Sequence, residues 1–387
     1  MNRLFSPVRV IALLLLLLLL CPFTVGCGKN TPPAIDTSAP TSDETTAGQD
    51  PVAPDALSNY YYNQLSAEEQ LLYNTLLPFM ERGDYSITLK NSDYDAVFAM
   101  IARVSAALYY DHPEFFLIQN AHEVSGAVYP GENDDTVTIS FPVCAFDAEP
   151  EVLKEALERK VDAVVKEAEK LTSPYEKVKF VHDYIIKTTV YDEENADLQN
   201  AELNSPYCAL VEGRAVCGGY ARAFQLIMNR LGIPASTLSG SADGVPHAWS
   251  VVTLDGEDYL LDLTWDDTEG ELVYPYFGLT SAELLLTHTP AAMFRHPTCT
   301  ATKYNYYRHE GLLLDAYTFE SVHAIIEQQT HLKRGYIKFS SQASLDAAIK
   351  NLIEEHRWTE LPGFKGADSV SYLVDPNHLI LYLVFPE

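Results

Sequence analysis

Apolar residues recur at the three- and four-residue spacing of amphipathic helices in the first half of the chain. Ser66 and Glu69 form a capping box, which predicts a helix that begins there and ends near Gly83. Ser173 and Glu176 form a second capping box, with a proline at the first helical position. The predicted helices are residues 67–82, about 93–110, 150–171, and one more that starts at 174.

Short alternating stretches lie between these helices and predict β-strands. We expect strands at residues 85–89, 115–118, 124–129 and 137–141, with a polar turn at 131–135. With the first two helices, these strands predict a small α/β region at residues 56–148.

In the second half, the pattern changes between helix and strand at glycine-containing turns. A helical pattern covers residues 221–231. An Asp-Gly pair at 255–256 predicts a hairpin between strands at 246–252 and 259–263. We therefore expect an α+β domain at residues 149–300.

The last part of the chain alternates helix and strand once more. The predicted elements are a short helix at 281–288, helices at 318–330 and 345–356, a strand at 336–339, and a hairpin that pairs 369–374 with 379–385. They predict a small α/β appendage at residues 301–387. Binding of a substrate or of the cell wall is one interpretation of this appendage.

Residues 1–27 have the pattern of an export signal, with a basic start and an unbroken apolar run at 11–20. The run is short for a membrane span. Residues 24–27 resemble a bacterial lipobox, in which the cysteine, Cys27 here, becomes the lipidated first residue. An ordinary secretion signal and an uncleaved anchor are the alternatives. Each of the three places the body of the protein outside the cytoplasm.

Residues 28–55 are rich in Thr, Pro, Ser, Ala and acidic residues and show no hydrophobic period. Such a segment does not bury enough apolar surface to offset the entropy lost on ordering. We expect a disordered tether that joins an anchored amino terminus to the folded part.

The charge balance limits the classes of partner. The 387 residues include 54 acidic and 26 basic side chains, which gives a formal net charge of -28. An acidic surface repels nucleic-acid phosphates and anionic lipid. We expect no nucleic-acid partner, and membrane contact only through a lipid anchor.

Four cysteines lie beyond the export signal: Cys144, Cys208, Cys217 and Cys299. Their spacing matches no zinc motif, and no acidic loop has the calcium-binding pattern, so the sequence indicates no metal and no cofactor. A disulfide between Cys208 and Cys217 is conceivable in an exported protein. Small buried thiols are the favoured interpretation for the cysteines other than Cys217.

Three reactive side chains, Cys217, His247 and Asp262, stand at the edges of predicted elements. Cys217 precedes a predicted helix, where free amides and the helix dipole favour a thiolate and could stabilise an oxyanion. The predicted hairpin places Asp262, on the returning strand, beside His247. This is the inventory of a cysteine nucleophile, its general base and the group that orients the base.

The local sequences resemble the core of the transglutaminase-like superfamily, particularly its exported bacterial members. The matching motifs are Val-Cys-Gly-Gly-Tyr-Ala at 216–221, Pro-His-Ala-Trp at 246–249 and Asp-Leu-Thr-Trp-Asp-Asp at 262–267. The resemblance covers roughly residues 174–279, and it implies a papain-like α+β fold with Cys217, His247 and Asp262 as the triad. It also implies that Tyr207 helps to stabilise the oxyanion.

Four further residues are candidates for the cleft or for support of the triad. Gly218 keeps the sulfur uncovered and lets a substrate backbone approach. Trp249 and Trp265 either pack the strands around the triad or form a wall of the cleft. Asp266 is interpreted as a supporting residue and not as a direct catalyst.

His182 and Asp183 are neighbours on the helix that starts at residue 174. Side chains of adjacent helical residues diverge by about 100°, so we expect these two not to face each other. His182 is interpreted as a packed, hydrogen-bonded residue of the apolar helix face.

The resulting hypothesis is a surface-anchored cysteine enzyme that acts on amide bonds of a protein or peptide substrate by acyl transfer. For bacterial relatives, the resemblance favours a peptidase or amidase. A protein-glutamine cross-linking transglutaminase is the second hypothesis, since the same triad serves both reactions. A catalytically weak binding or scaffold module of the cell surface is the third.

Overall fold

A computed structural model describes residues 57, 59–90, 94–119, 124–129, 136–195, 201–268 and 271–386. The predicted signal with Cys27, the predicted tether and the polar turn at 131–135 lie outside the described residues. Within the described residues, no helix is both long enough and apolar enough to span a membrane.

Two helices and a three-stranded antiparallel sheet form the amino-terminal region. In chain order, its elements are α1 (Ala67–Glu81), β1 (Ser86–Lys90), α2 (Tyr94–Asp111), β2 (Ser125–Tyr129) and β3 (Thr136–Ser140). The predicted capping box starts α1, because the Ser66 hydroxyl accepts from the Glu69 amide and the Glu69 carboxylate from the Ser66 amide.

The strand expected at residues 115–118 is wrong. The Phe115 amide donates to the His112 carbonyl, at 3.0 Å, and the Ile118 amide to the Phe115 carbonyl, at 3.2 Å. These local turns use the backbone groups that a strand would offer, and the segment keeps one β-bridge, between Ile118 and Val143.

The central region begins with helices and short strands, followed by an antiparallel sheet whose strand order is β11-β8-β7-β6-β12. In chain order its elements are α3 (Pro150–Ala168), α4 (Pro174–Thr188), β4 (Val190–Tyr191), β5 (Arg214–Ala215), α5 (Cys217–Arg230), β6 (Ala235–Ala242), β7 (Val245–Leu254), β8 (Glu257–Leu261), β9 (Asp267–Thr268), β10 (Glu271–Leu272), β11 (Phe277–Leu279), α6 (Ser281–Leu284) and β12 (His288–Pro290). The helix predicted at 221–231 is present as α5, and the predicted hairpin is present as β7 and β8. The α+β class is confirmed.

The five-stranded sheet is covered on both faces. Along β7, Trp249 and Val251 belong to the hydrophobic core that the amino-terminal region also lines. Val252 and Leu254 belong to a second core, which α3, α4 and α5 line. Burial on both sides fixes the register of β7, because a slip by one residue would exchange the two faces.

The carboxy-terminal region has its own hydrophobic core and a four-stranded sheet of order β13-β14-β16-β15. Its elements are α7 (Tyr306–His309), β13 (Leu313–Leu314), α8 (Phe319–Gln329), β14 (Arg334–Phe339), α9 (Gln342–Ile349), β15 (Ser371–Asp375) and β16 (Ile380–Val384). The turn between the last two strands packs on the central region, where the His378 ring lies 4.6 Å from the ring of Tyr276.

Candidate active site

Cys217 is the first residue of α5 and is partly exposed. The helix starts without a side-chain cap, and the amides of Gly219 and Tyr220 both donate to the Val216 carbonyl, at 2.9 and 3.2 Å. The first amides of a helix have no acceptor within it. The thiol therefore lies where backbone N–H groups and the positive end of the helix dipole meet the surface.

Gly218 is buried directly behind the thiol. A Cβ atom at this position would lie 2.3 Å from the side-chain oxygen of Asn204. Glycine thus permits a short 3₁₀ turn at Ala201–Asn204 to pack against the start of α5. The position therefore requires glycine because of this close approach and not because of its backbone conformation, since φ is negative.

His247 and Asp262 come together beside this helix end. The His247 Nε2–H donates to Asp262 Oδ2 at 2.7 Å, and the carboxylate is fully buried. The other carboxylate oxygen, Oδ1, accepts from the amides of Thr264 and Trp265, at 3.0 and 3.2 Å. The expectation that Asp262 lies on the returning strand is wrong. Strand β8 ends at Leu261, and the chain turns there and supplies those two amides.

The electrostatics link the three side chains. Burial alone would lower the pKa of His247, but the Asp262 carboxylate and the Cys217 side chain raise it to about 10. Burial would raise the pKa of Asp262, but two histidines, His247 and His288, hold it well below its usual range. Since His247 Nε2 is bonded to Asp262, Nδ1 is the ring nitrogen that remains available to the Cys217 thiol.

One protein family matches the part of the chain that holds Cys217 and His247. Residues 162–261 match the family model of the transglutaminase-like superfamily. The chain carries a transglutaminase-like domain. The matched residues include Cys217 and His247 and end one position before Asp262. The resemblance inferred from the motifs is thereby confirmed.

Solved structures similar to this chain include three with related descriptions. One is described as a TGase, with 20% identity and a TM-score of 0.29, over 38% of this chain and 46% of that one. A candidate cysteine protease from Cytophaga hutchinsonii has 15% identity and a TM-score of 0.25, over 37% and 62%. The periplasmic domain of TgpA from Pseudomonas aeruginosa has 14% identity and a TM-score of 0.23, over 34% and 54%. The chain thus spans about half the length of these structures, and no curated protein matches it.

Tyr207, the candidate for oxyanion stabilisation, lies before a π-helical turn at Cys208–Glu212. Its ring stacks on Phe116, with centroids 5.7 Å apart, and meets Phe146 edge-on at 5.3 Å. Tyr207 and Cys208 both line a cavity of about 490 Å³. Its oxyanion role stays a prediction.

Trp249 and Trp265 flank the His247 ring of the transglutaminase-like domain, at centroid distances of 6.3 and 6.0 Å. Trp249 is buried in the core, whereas Trp265 is only partly buried. Trp249 therefore packs beneath the imidazole, and Trp265 is the ring that reaches toward solvent.

Asp266 lies in a second buried cluster. Its Oδ2 is 3.1 Å from His182 Nε2, and its Oδ1 accepts from the Tyr276 amide at 2.8 Å. Burial raises the pKa of Asp266 to about 6. His182 is buried and hydrogen-bonded, as expected, but its Nδ1 also lies 3.1 Å from Asp183 Oδ1. The expectation that these neighbours do not face each other is wrong, because the carboxylate folds back toward the ring.

His288 contacts Asp262 of the candidate triad and was not among the predicted site residues. Its Nε2 is 3.0 Å from Asp262 Oδ2, and its side chain is fully buried. The helix expected at 281–288 ends at Leu284, so His288 begins β12 and pairs with Ala242 of β6. That pairing joins distant parts of the chain, and no local motif reports it.

His247, Asp262 and His288 also have the side-chain types that bind metals, with candidate ligand atoms within 4.8 Å of one another. Hydrogen bonds of 2.7 and 3.0 Å account for their separations. Ligands of a tetrahedral zinc ion would be spaced more widely, at about 3.3 Å, given bonds near 2.0 Å.

The described cysteines are free thiols. Burial raises the pKa of Cys144, Cys208 and Cys299 to about 12 each. Cys208 donates to Glu212 Oε2 at 3.3 Å instead of pairing with Cys217. The three buried thiols are therefore inert at neutral pH.

Proposed function

We propose that the chain is a cysteine enzyme that acts on amide bonds by acyl transfer. Cys217 is the nucleophile, His247 the general base and acid, and Asp262 the group that orients the imidazole. The observation that carries the proposal is the hydrogen bond from His247 to the buried Asp262 carboxylate, together with the partly exposed Cys217 thiol at the start of α5, whose side chain helps to raise the pKa of His247.

The reaction follows from the proton positions. Asp262 keeps the Nε2 proton on His247, which leaves Nδ1 to receive the thiol proton. The thiolate attacks the carbonyl carbon, and the resulting oxyanion faces the free amides at the start of α5. When the C–N bond breaks, the imidazolium returns its proton to the leaving amine, and a thioester remains on Cys217.

The thioester is then resolved by water, which His247 deprotonates, releasing a carboxylic acid and the free thiol. We propose this hydrolytic outcome, and hence a peptidase or amidase. Water reaches a partly exposed thiol without a binding site of its own, whereas an amine acceptor needs a second groove. Protein-glutamine cross-linking is the alternative that uses the same thioester, and a weak binding module is the alternative without chemistry.

We further propose that the enzyme acts outside the cytoplasm, anchored through Cys27, on a surface-exposed protein or peptide. The export-signal pattern at residues 1–27 supports this proposal. Labelling of cells with a radioactive fatty acid should mark the wild type and not Cys27→Ala. Label retained in Cys27→Ala would refute the anchor.

Peptide-library profiling of wild type beside Cys217→Ala tests the activity. New peptide termini with wild type alone support a peptidase. A parallel incubation with a glutamine-containing protein and a fluorescent amine tests the alternative, because incorporation of the amine would show cross-linking. If neither product forms and Cys217→Ala preserves the cellular role, the binding module replaces the enzyme.

A further inference from the structure

His288 is a fully buried imidazole that the mechanism above does not use. Its Nε2 lies 3.0 Å from Asp262 Oδ2, the same oxygen that receives His247 Nε2 at 2.7 Å. A buried polar side chain needs a partner, and this one has the orienting carboxylate of the candidate triad as its partner.

The protonation of His288 follows from its neighbours. Asp262 is ionised, because the two histidines hold its pKa low. A carboxylate only accepts hydrogen bonds, so His288 donates through Nε2–H. Its Nδ1 lies 2.8 Å from the Thr287 hydroxyl. The ring is thereby held at both nitrogens.

Packing also restricts the ring of His288. The rings of Trp249 and Trp265 lie 5.1 and 4.9 Å from it, and the ring of Tyr276 lies 5.7 Å from it. A side chain enclosed in this way cannot change rotamer without moving its neighbours. His288 is therefore a fixed donor and not an adaptable one.

The Asp262 carboxylate is tied at both oxygens as a result. Oδ1 accepts two backbone amides, and Oδ2 accepts two imidazole N–H groups. The second imidazole therefore adds a fourth hydrogen bond to the three that Asp262 receives from the two amides and His247. This bond restricts rotation about the Cβ–Cγ bond further, and with it the position of the oxygen that His247 contacts.

We propose that His288 is a positioning residue, whose Nε2–H fixes Asp262 in the orientation that holds His247 in line with Cys217. This inference rests on the proposed function. A base whose ring is held in line transfers its proton over a shorter and better aligned path. His288 acts through Asp262 and touches neither the thiol nor the substrate's reacting carbonyl.

Other titratable groups face this cluster from the surrounding elements. They are the Cys217 thiol on α5, the Asp266 carboxyl after β8, the Tyr191 hydroxyl of β4 and the Tyr276 hydroxyl before β11. Substitutions at His288 leave all of them in place, so a change in a pH profile reports the carboxylate's orientation.

The test measures the rate at which iodoacetamide alkylates Cys217 across pH 5 to 9, which requires no known substrate. The variants are His288→Phe, which keeps a ring and removes both hydrogen bonds, and His288→Gln, whose amide N–H₂ can reach Asp262. We expect His288→Phe to slow alkylation about tenfold, as misplaced catalytic groups do. We expect His288→Gln to stay within about threefold of wild type.

The acid limb of the profile separates positioning from packing. A less well held Asp262 stabilises the imidazolium less, so thiolate formation in His288→Phe should need a pH higher by about half a unit. Loss of packing alone would lower the amplitude without moving the limb. Thr287→Val, which removes the partner of Nδ1 and a long hydrogen bond to the Leu284 carbonyl, should give a smaller shift in the same direction.

The outcomes are separable. If wild-type Cys217 is alkylated no faster than the buried cysteines, the proposed function fails. If wild-type Cys217 is selectively reactive and folded His288→Phe behaves like it, the positioning role fails. A shift of the limb to lower pH would instead make His288 a competitor for the charge of Asp262. An EDTA-sensitive rate in wild type would replace the hydrogen bonds by a metal and overturn the inference.

Discussion

Two buried histidine–carboxylate clusters near the candidate active site have opposite compositions. In the first, the carboxylate of Asp262 lies between the imidazoles of His247 and His288. In the second, the imidazole of His182 lies between the carboxylates of Asp183 and Asp266. The same two residue types are present, with the counts reversed.

The difference shows which histidine is free to react. In the first cluster, His247 is hydrogen-bonded to Asp262 through Nε2, and its Nδ1 remains available to Cys217. In the second, both nitrogens of His182 are bonded to carboxylates, which raise its pKa despite complete burial. His182 thus has no nitrogen left for proton transfer. One carboxylate orients an imidazole and leaves one of its nitrogens available, whereas two carboxylates occupy both nitrogens.

The largest expected effect is on turnover. His247→Ala should lower the rate of Cys217 alkylation, and of any amide hydrolysis, by about 10³-fold, since it removes the general base. Its thermal unfolding temperature should also fall, because buried Asp262 loses an ion-pair partner, but the variant should remain folded at the assay temperature. A rate close to that of wild type in folded His247→Ala would contradict the assignment of the base.

The matched substitution in the second cluster should act on stability instead. His182→Phe keeps a ring against Tyr274 and Phe277 but leaves the buried Asp266 carboxyl and the partly buried Asp183 carboxyl without their imidazole. Breaking a buried ion pair in this way costs about 3 kcal/mol of unfolding free energy. Urea unfolding measures the loss, and alkylation of the folded protein should remain within a few-fold of wild type. Abolished alkylation in folded His182→Phe would end the distinction between the clusters.

The pH dependence of stability should report the first cluster. The folded protein holds the His247 proton with a pKa of about 10, against 6.5 for the ordinary side chain. That stabilisation is complete below pH 6.5 and is lost as the pH rises through 10. Urea unfolding of wild type should therefore show falling stability between pH 7 and 10. His247→Gln should lack this part of the fall, and parallel curves for the two proteins would count against the ion pair.

The smallest expected effect is on stability, from a substitution of Lys179 at the partly exposed edge of the second cluster. Lys179 lies 2.8 Å from Asp183 Oδ2, and its ammonium group lies 4.6 Å from the centroid of the Tyr274 ring. Because this pair is partly exposed, Lys179→Gln should lower the unfolding free energy by about 1 kcal/mol or less. Turnover should be unchanged. A loss as large as that of His182→Phe would mean that the cluster extends to Lys179.

Much of the candidate site could be predicted because its information is local. Cys217 stands before a helical pattern, and the Asp-Gly turn at 255–256 brings the strand of His247 back toward Asp262. His288 could not be found in this way, since its contact with Asp262 depends on the pairing of β12 with β6, far apart in the chain. The turn that moves Asp262 off the strand end was also missed, because the motif gives residue types and not backbone direction.

Tyr276 connects the carboxy-terminal region to both histidine–carboxylate clusters. Its amide donates to Asp266, its carbonyl accepts from the Asp262 amide, and its ring lies against both His288 and His378. One residue therefore braces both clusters and is itself covered by the last hairpin of the chain. A protein shortened to residue 300 would lose the His378 ring that covers Tyr276, so the carboxy-terminal region shields a residue that contacts both clusters.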